Sequence, residues 1–260
     1  MPPQFIGVLS LLALIRAILL AVLFVGASIA IILFLFIRPF HKNNVHIIAG
    51  IYGKFASLFG VEIELRGLEN ASDDKPSVYI GNHQNSWDLF TSSNAVRQDT
   101  VSVGKKSLKW IPLFGQVYWL SGNILIDRGN RSKAHGTIGH AAEQIKQRGI
   151  SVWLFPEGTR SYGRGLLPFK TGAFYTAALA DVPVVPVVIS NTEGLIKWNR
   201  WNNGKVIIEY LPEFKVESSD KAYIREVTKD AHKMMAEKLD ELNAELGYKA
   251  SSETVKTSKA

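Results

Sequence analysis

A histidine and an aspartate five positions apart are the first candidates for chemistry in this chain. His83 and Asp88 follow a short apolar run, 78–80, that is typical of a strand end. Imidazole titrates near neutral pH, so His83 can act as a general base. Asp88 can hold the other ring nitrogen and stabilise the imidazolium, as in a hydrolase triad without its serine. Taken alone, the pair favours a structural histidine beside a helix cap.

A second run of polar residues extends from Phe155 to Ser161 and reads Phe-Pro-Glu-Gly-Thr-Arg-Ser. Gly158 permits a tight turn, and Arg160 offers a planar fork of donors that suits a phosphate group. Glu157 is a candidate to bind a hydroxyl group of an acceptor or to fix Arg160. The alternative for so short a run is a salt-bridged turn without a ligand.

The two runs together resemble the glycerolipid acyltransferases, whose pattern is Asn-His, four residues, Asp, and later Phe-Pro-Glu-Gly-Thr-Arg. The match is closest to the bacterial 1-acylglycerol-3-phosphate acyltransferases, and four blocks in family order cover about residues 61–215. The resemblance implies transfer of an acyl chain from acyl-CoA or acyl-carrier protein to the sn-2 hydroxyl of 1-acyl-glycerol-3-phosphate, which gives phosphatidic acid. It implies His83 and Asp88 as catalytic residues and acceptor binding by Glu157, Gly158, Thr159 and Arg160.

Two more basic residues are candidate phosphate ligands. The run Gly-Asn-Ile-Leu-Ile-Asp-Arg at 122–128 resembles a further family block, which makes Arg128 a second phosphate contact. Lys105 follows a predicted strand and can face the phosphate of the acceptor or of the donor; a solvated charged loop is the alternative. The run 182–187 is similar to the fourth block and predicts a buried strand that packs in the core and, by resemblance, lines the acyl site.

Several different functions remain open from the sequence. Ser86 is the one nearby candidate for a covalent acyl intermediate, but it lies in a variable position of the family pattern, so direct attack by the acceptor is preferred. The acceptor could be glycerol-3-phosphate or another lysophospholipid. The sequence is also compatible with a thioesterase-like hydrolase or a non-catalytic lipid-binding scaffold. His135 and His140 diverge on a predicted helix, so we predict no metal, and no cofactor beyond the acyl donor.

The elements that must position these residues alternate between strands and helices. This alternation predicts an α/β fold, with a mixed β-sheet core flanked by helices. Period-two or continuous apolar runs predict strands, and helical spacing with caps predicts helices. The predicted strands are 61–66, 78–80, 100–103, 123–126, 150–155, 184–189 and 206–210, and the predicted helices are 87–96, 132–148, 172–180 and 220–246.

An N-terminal membrane anchor is predicted for residues 1–60. The 21 residues 17–37 carry no charge, and a helix of this length crosses the roughly 30 Å hydrocarbon layer. A cleaved signal peptide or a helix that dips into one leaflet would have a similar apolar run. Residues 41–60 have apolar residues at helical spacing and predict an interfacial helix lying on the membrane, although an ordinary helix packed on the domain fits nearly as well.

The acyltransferase domain is expected at 61–247, followed by a disordered tail at 248–260. Net charge of +7 favours an anionic partner, and the apolar segment points to lipid instead of nucleic acid. The chain has no cysteine, which excludes disulfides and an acyl-cysteine intermediate. Basic residues are more frequent after the apolar segment than before it, so we expect the domain on the cytoplasmic face of the bacterial inner membrane.

Overall fold

The structure is a computed structural model that describes residues 11–72, 74–126 and 131–248, with the backbone alone at 131–135 and 137. Seven strands of these residues form one sheet in the order β1-β7-β6-β2-β5-β3-β4. The strands are β1 Val61–Arg66, β2 Val78–Gly81, β3 Thr100–Lys105, β4 Ile124–Ile126, β5 Ser151–Leu154, β6 Val184–Ile189 and β7 Gly204–Tyr210.

Helices occupy most of the segments between the strands. The α-helices are α1 Leu11–Ile37, α2 Asn44–Gly53, α3 Phe55–Leu58, α4 Asp88–Thr91, α5 Phe114–Leu120, α6 Arg131–Arg148, α7 Gly172–Ala180 and α8 Lys221–Glu245. Short 3₁₀ helices lie at Leu68–Asn70, Ser92–Ala95 and Lys106–Trp110. The predicted helix 87–96 is therefore split into α4 and a 3₁₀ turn. The segment 106–120 was not predicted to be helical; it contains a 3₁₀ helix and α5, which are separated at Pro112 and at Leu113, where φ is 63°.

Parallel pairing brings the reactive segments to one edge of the sheet. β2 pairs parallel with β5 and β6, and β3 pairs parallel with β4 and β5, whereas β6 and β7 are antiparallel. The carboxyl ends of β2, β3, β5 and β6 therefore meet at the same edge, where α/β folds place their sites. The predicted mixed α/β sheet with flanking helices is confirmed.

The sheet separates two apolar layers because successive side chains of a strand point to opposite faces. Val78 and Ile80 lie in one core cluster, which also contains residues of α6, α7 and α8. Tyr79, between them, lies in the second cluster with residues of α1, α2, α3 and α5. β6 is buried along its whole length, as expected of a strand covered on both faces.

The predicted interfacial helix at 41–60 is instead part of this second layer. Its apolar stripe, which includes Ile48, Tyr52, Phe55 and Phe59, is buried against the sheet, and Phe59 is 0% exposed. These side chains are therefore not available to lipid. The structure agrees with the alternative interpretation of 41–60, an ordinary helix packed on the domain. An amphipathic pattern shows that one face is buried but not what covers it.

The helix α1 lies along the domain and has two different faces. Its inner face meets the second layer: the Phe24 ring stacks on Tyr52 with centroids 5.3 Å apart, the Ser28 and Tyr52 hydroxyl oxygens are 3.0 Å apart, and Leu35 is fully buried. By length and composition, α1 can cross a membrane. Its outer face is a row of exposed apolar side chains at helical spacing: Leu14, Ile18, Val22, Val25, Ile29, Leu33 and Phe36.

A buried arginine fastens the N-terminal half of α1 to the domain. The Arg16 guanidinium donates to the carbonyl oxygens of Trp198, at 3.1 Å, of Arg200, and of Trp201, at 3.0 Å. It also lies 5.7 Å from the centroid of the Phe59 ring. Arg16 is only 3% exposed, so these three acceptors replace the water that a charged group needs.

Candidate active site

The imidazole of His83 is held by Asp88 just beyond the end of β2. Asp88 is the first residue of α4, and its Oδ2 lies 2.6 Å from His83 Nδ1. The same oxygen accepts the backbone N–H groups of Gln84, at 2.7 Å, and Asn85, at 3.3 Å. A carboxylate at Nδ1 places the ring proton there and leaves Nε2 with a lone pair. Nε2 has no partner among the described residues, so it is free to accept a proton from a substrate hydroxyl.

The run 155–161 also contacts His83, because it follows β5, the strand next to β2. The Phe155 ring stacks on the imidazole, with centroids 4.1 Å apart and planes at 15°. The backbone N–H of Ser161 donates to the His83 carbonyl at 2.8 Å, and that of Tyr162 donates to the Gln84 carbonyl at 2.8 Å. The two sequence runs are therefore one structural unit, bound through both backbone and rings.

Glu157 binds the backbone of His83. Its Oε1 accepts the His83 N–H at 2.6 Å, and its Oε2 accepts the Leu167 N–H at 2.9 Å. The residue is 3% exposed, and this burial raises the pKa of its carboxyl to about 7, helped by the nearby Asp88 charge and opposed by the two backbone hydrogen bonds. The sequence predicted that Glu157 binds an acceptor hydroxyl or fixes Arg160. In the structure both oxygens are engaged by backbone, and neither is bonded to Arg160.

Arg160 presents its guanidinium at the same edge of the sheet. Its Nη1 lies 3.2 Å from the Ser86 hydroxyl oxygen and 3.2 Å from that of Tyr162. It has no carboxylate partner among the described residues. Gly158, with a φ of +70°, forms the tight turn that the sequence predicted, and Thr159 is exposed. A guanidinium beside two hydroxyls and without a carboxylate partner in the described part of the chain is suited to an anion.

The remaining predicted residues divide between this edge and positions outside the described ranges. Lys105 is exposed at the carboxyl end of β3, which is separated from β2 by β5. Arg128 lies outside the described residues. The run 182–187 leads into β6, which is buried from Val184 onward and contributes to both layers, as predicted.

Sequence reasoning missed the side chains that fasten the loop that carries His83. Asn82 donates to the Ile189 carbonyl and accepts its N–H, both at 2.8 Å. Gln84 donates to the Ser190 carbonyl at 2.8 Å and accepts the Thr192 N–H at 2.8 Å. These bonds tie the loop after β2 to the loop after β6. The available signal was the two amide side chains that flank His83 directly after an apolar strand.

Comparison with known proteins identifies the family. A family model described as Acyltransferase matches residues 62–190, the segment that contains His83, Asp88 and the 155–161 run. The 1-acyl-sn-glycerol-3-phosphate acyltransferase of Escherichia coli strain K12 is 50% identical over 208 residues, which are 80% of this chain and 85% of that protein. The chain belongs to the acyltransferase family.

More distant acyltransferases are also similar. The 1-acyl-sn-glycerol-3-phosphate acyltransferase of Saccharomyces cerevisiae is 36% identical over 189 residues, 71% of this chain and 62% of that protein. The crystal structure of the 1-acyl-sn-glycerophosphate acyltransferase from Thermotoga maritima superposes with a TM-score of 0.66 at 25% identity, and covers 88% of this chain and 98% of that one. The acyltransferase fold thus extends well beyond the matched 62–190 segment.

Proposed function

We propose that this acyltransferase moves a fatty acyl chain from a soluble thioester to the sn-2 hydroxyl of 1-acyl-glycerol-3-phosphate and so makes phosphatidic acid. The observation that carries the proposal is the His83–Asp88 pair, with Nε2 unpaired among the described residues, on the same backbone unit as the guanidinium of Arg160. A base for a hydroxyl and a cation for a phosphate are what this acceptor needs. Relatives that align over most of both chains carry the name of this activity.

The reaction follows from the tautomer of the His83 imidazole, in which Nδ1 carries the proton and Nε2 has a lone pair. Nε2 of His83 takes the hydroxyl proton while the oxygen attacks the thioester carbonyl carbon. The tetrahedral intermediate then collapses, the carbon–sulfur bond breaks, and the leaving sulfur takes the proton from the imidazolium. Asp88 stabilises the imidazolium between these two transfers. Ser86 is bonded to Arg160 at 3.2 Å, not to the base, which supports direct attack without an acyl-enzyme.

Three basic side chains are proposed to bind phosphate groups. Arg160 is the principal ligand, because its guanidinium has no carboxylate partner among the described residues and lies beside the catalytic loop. Lys105, at the end of β3, and Arg128 are proposed as further phosphate contacts of the acceptor or the donor. Glu157 is assigned a different role from the predicted one: its carboxylate positions His83 by accepting the backbone N–H of that residue. The acyl donor is proposed to be acyl-CoA or acyl-carrier protein, with no metal or other cofactor.

The position on the membrane follows from the two faces of α1. A helix of 27 residues is about 40 Å long, and its inner face contacts the domain from Arg16 to Leu35. We propose that the outer apolar row is embedded in the lipid while the domain stays at the surface of the bacterial inner membrane, on its cytoplasmic face. This arrangement supports a reaction between an acceptor in the bilayer and a water-soluble thioester.

The first experiment compares detergent-solubilised wild type with His83→Ala, using labelled acyl-CoA and 1-acyl-glycerol-3-phosphate. Wild type is expected to form phosphatidic acid that depends on the acceptor, and the variant to lose about 10³-fold of this rate. His140→Ala, an exposed histidine on α6, is the matched control and is expected to keep full activity.

Different outcomes would contradict the proposal. Equal rates in wild type and His83→Ala would remove His83 from the mechanism. Free fatty acid formed without the acceptor would indicate a thioesterase, and another acylated product would indicate a different acceptor. No product with acyl-CoA, acyl-carrier protein or any lysophospholipid would favour a lipid-binding scaffold.

A further inference from the structure

A tyrosine occupies an unusual backbone position beside the catalytic loop. The N–H of Arg164 donates to the Ser161 carbonyl at 3.2 Å, which closes a turn whose central residues, Tyr162 and Gly163, have φ values of 47° and 78°. Turns with two positive φ angles favour asparagine, aspartate or glycine, because other side chains cost about 1–2 kcal/mol there. A non-glycine residue kept in such a conformation at a site is often part of the function.

Contacts of Tyr162 aim its hydroxyl at the site. Its backbone N–H is bonded to the Gln84 carbonyl at 2.8 Å, so the residue is fixed to the loop that carries His83. Its side chain is 55% exposed, and its phenol oxygen lies 3.2 Å from Nη1 of Arg160. Tyr162 is therefore not held in this turn by burial in the core.

The hydroxyls of Ser86 and Tyr162 each keep a hydrogen that can be donated to a ligand. Nη1 of Arg160 carries two hydrogens, one for the Ser86 oxygen and one for the Tyr162 oxygen. Each hydroxyl then acts as an acceptor toward the arginine and keeps its own O–H to donate elsewhere. Two aligned hydroxyl donors and one cation converge on an exposed point at the edge of the sheet. This is the donor set of an anion site with several oxygens.

We propose that the hydroxyls of Ser86 and Tyr162, aligned by Arg160, form a phosphate cradle that binds the phosphomonoester of the acceptor and selects it over phosphodiester lysophospholipids. The inference rests on the proposed acyltransferase function and adds the residues that determine acceptor specificity. A phosphomonoester has three terminal oxygens, one for each member of the cradle. A phosphodiester has one fewer and carries a head group in its place.

The backbone ties between the two loops set the distance from the cradle to the base. Ser161 and Tyr162 donate to the carbonyls of His83 and Gln84, so the turn is bonded directly to the backbone of the proposed base. In the acceptor only a few covalent bonds separate the phosphate from the reacting hydroxyl. A phosphate in the cradle therefore brings the hydroxyl toward Nε2 of His83.

The test uses Tyr162→Phe and Ser86→Ala, which remove one hydroxyl each from exposed positions. Tyr223→Phe and Ser218→Ala are matched controls, because each of these hydroxyls accepts one backbone N–H away from the site. Acceptor KM and kcat are measured, together with calorimetric binding of 1-acyl-glycerol-3-phosphate and of lysophosphatidylglycerol in detergent. Each cradle variant is expected to raise the Kd and KM for the monoester about 10-fold, since a hydrogen bond to a charged group is lost.

The same variants are expected to leave kcat within about twofold and to bind the diester as wild type does. Unchanged monoester binding in Tyr162→Phe and Ser86→Ala, or equal losses for monoester and diester, would overturn the cradle. Failure of the proposed function can be distinguished from failure of the cradle. A wild type that binds the monoester but forms no phosphatidic acid would lack the proposed activity. Weaker monoester binding in the two variants would still support the cradle.

Discussion

The substitution Glu157→Gln tests which of two roles Glu157 has: positioning of the proposed base, His83, or binding of the acceptor. Both carboxylate oxygens accept backbone N–H groups, from His83 and Leu167. The amide of glutamine keeps one acceptor oxygen but turns an NH₂ group toward the second N–H. One of the two bonds is therefore replaced by two donors facing each other, at a site that is only 3% exposed.

The size of the effect follows from the lost bond. When the carboxyl is ionised, above its pKa of about 7, a hydrogen bond to this charged group contributes about 1.5–3 kcal/mol, which corresponds to at least about 10-fold in rate when the loss falls on the transition state. Because the carboxylate contacts the backbone of His83, the proposed base, Glu157→Gln is expected to lower kcat by about 10-fold or more. The acceptor KM is expected to change by less than about threefold, since both oxygens of Glu157 are engaged by backbone N–H groups.

The assay is initial-rate kinetics of phosphatidic acid formation at saturating acyl-CoA over a range of acceptor concentrations. Gln147→Glu, on the exposed face of α6, is a control for a change between carboxylate and amide. A variant with an unchanged kcat and a 10-fold higher acceptor KM would refute the positioning role and restore Glu157 as an acceptor ligand.

The same substitution has a signature in the pH dependence of stability. The carboxyl of Glu157 titrates near 4.5 in the unfolded chain, and its pKa is about 7 in the fold. Between these values the folded state binds the extra proton, so stability falls as pH rises from about 4.5 to 7. The shift corresponds to about 3 kcal/mol. Unfolding in detergent at a series of pH values should show this slope in wild type, and Glu157→Gln should lack it; equal slopes would show that Glu157 does not titrate this way.

Three further predictions address the rest of the framework. Asp88→Asn is expected to lower kcat by about 10³–10⁴-fold in the rate assay, because an amide no longer fixes the tautomer or stabilises the imidazolium; a loss below 10-fold would contradict the pair. Arg16→Leu leaves three carbonyls of the 198–201 loop without their donor and should lower unfolding free energy by about 3 kcal/mol in denaturant titrations. Gly60→Ala should cost on the order of 2 kcal/mol, since a Cβ there would lie 2.0 Å from a carbonyl oxygen at a φ of +66°, whereas Gly50→Ala, with open space, should not destabilise.

The sequence predicted those features that depend on local pattern. The strands at 61–66 and 184–189 have the bounds that their apolar patterns indicate. The His83–Asp88 hydrogen bond follows from a spacing that spans one helix start. For such features the chain within a few residues determines the structure.

Features that depend on distant partners were not predictable in the same way. Glu157 faces two backbone N–H groups, and the motif does not show this, because a carboxylate in a turn can point to a ligand or to the main chain. The apolar stripe of 41–60 was compatible with lipid or protein, and only tertiary packing decides between them. The turn at Tyr162 is held by the carbonyl of Gln84, far away in the sequence.

The position of Arg16 has a consequence for the order in which the protein is assembled. The first of its carbonyl partners is 182 residues later in the chain, so α1 leaves the ribosome long before they exist. Until then Arg16 lies in an otherwise uncharged helix without the three carbonyl acceptors that hold it in the folded protein. The helix thus reaches its final place only when the domain has been synthesised and folded. Its docking is a late step of biogenesis, and removal of α1 would expose the buried layer beneath it instead of releasing a soluble enzyme.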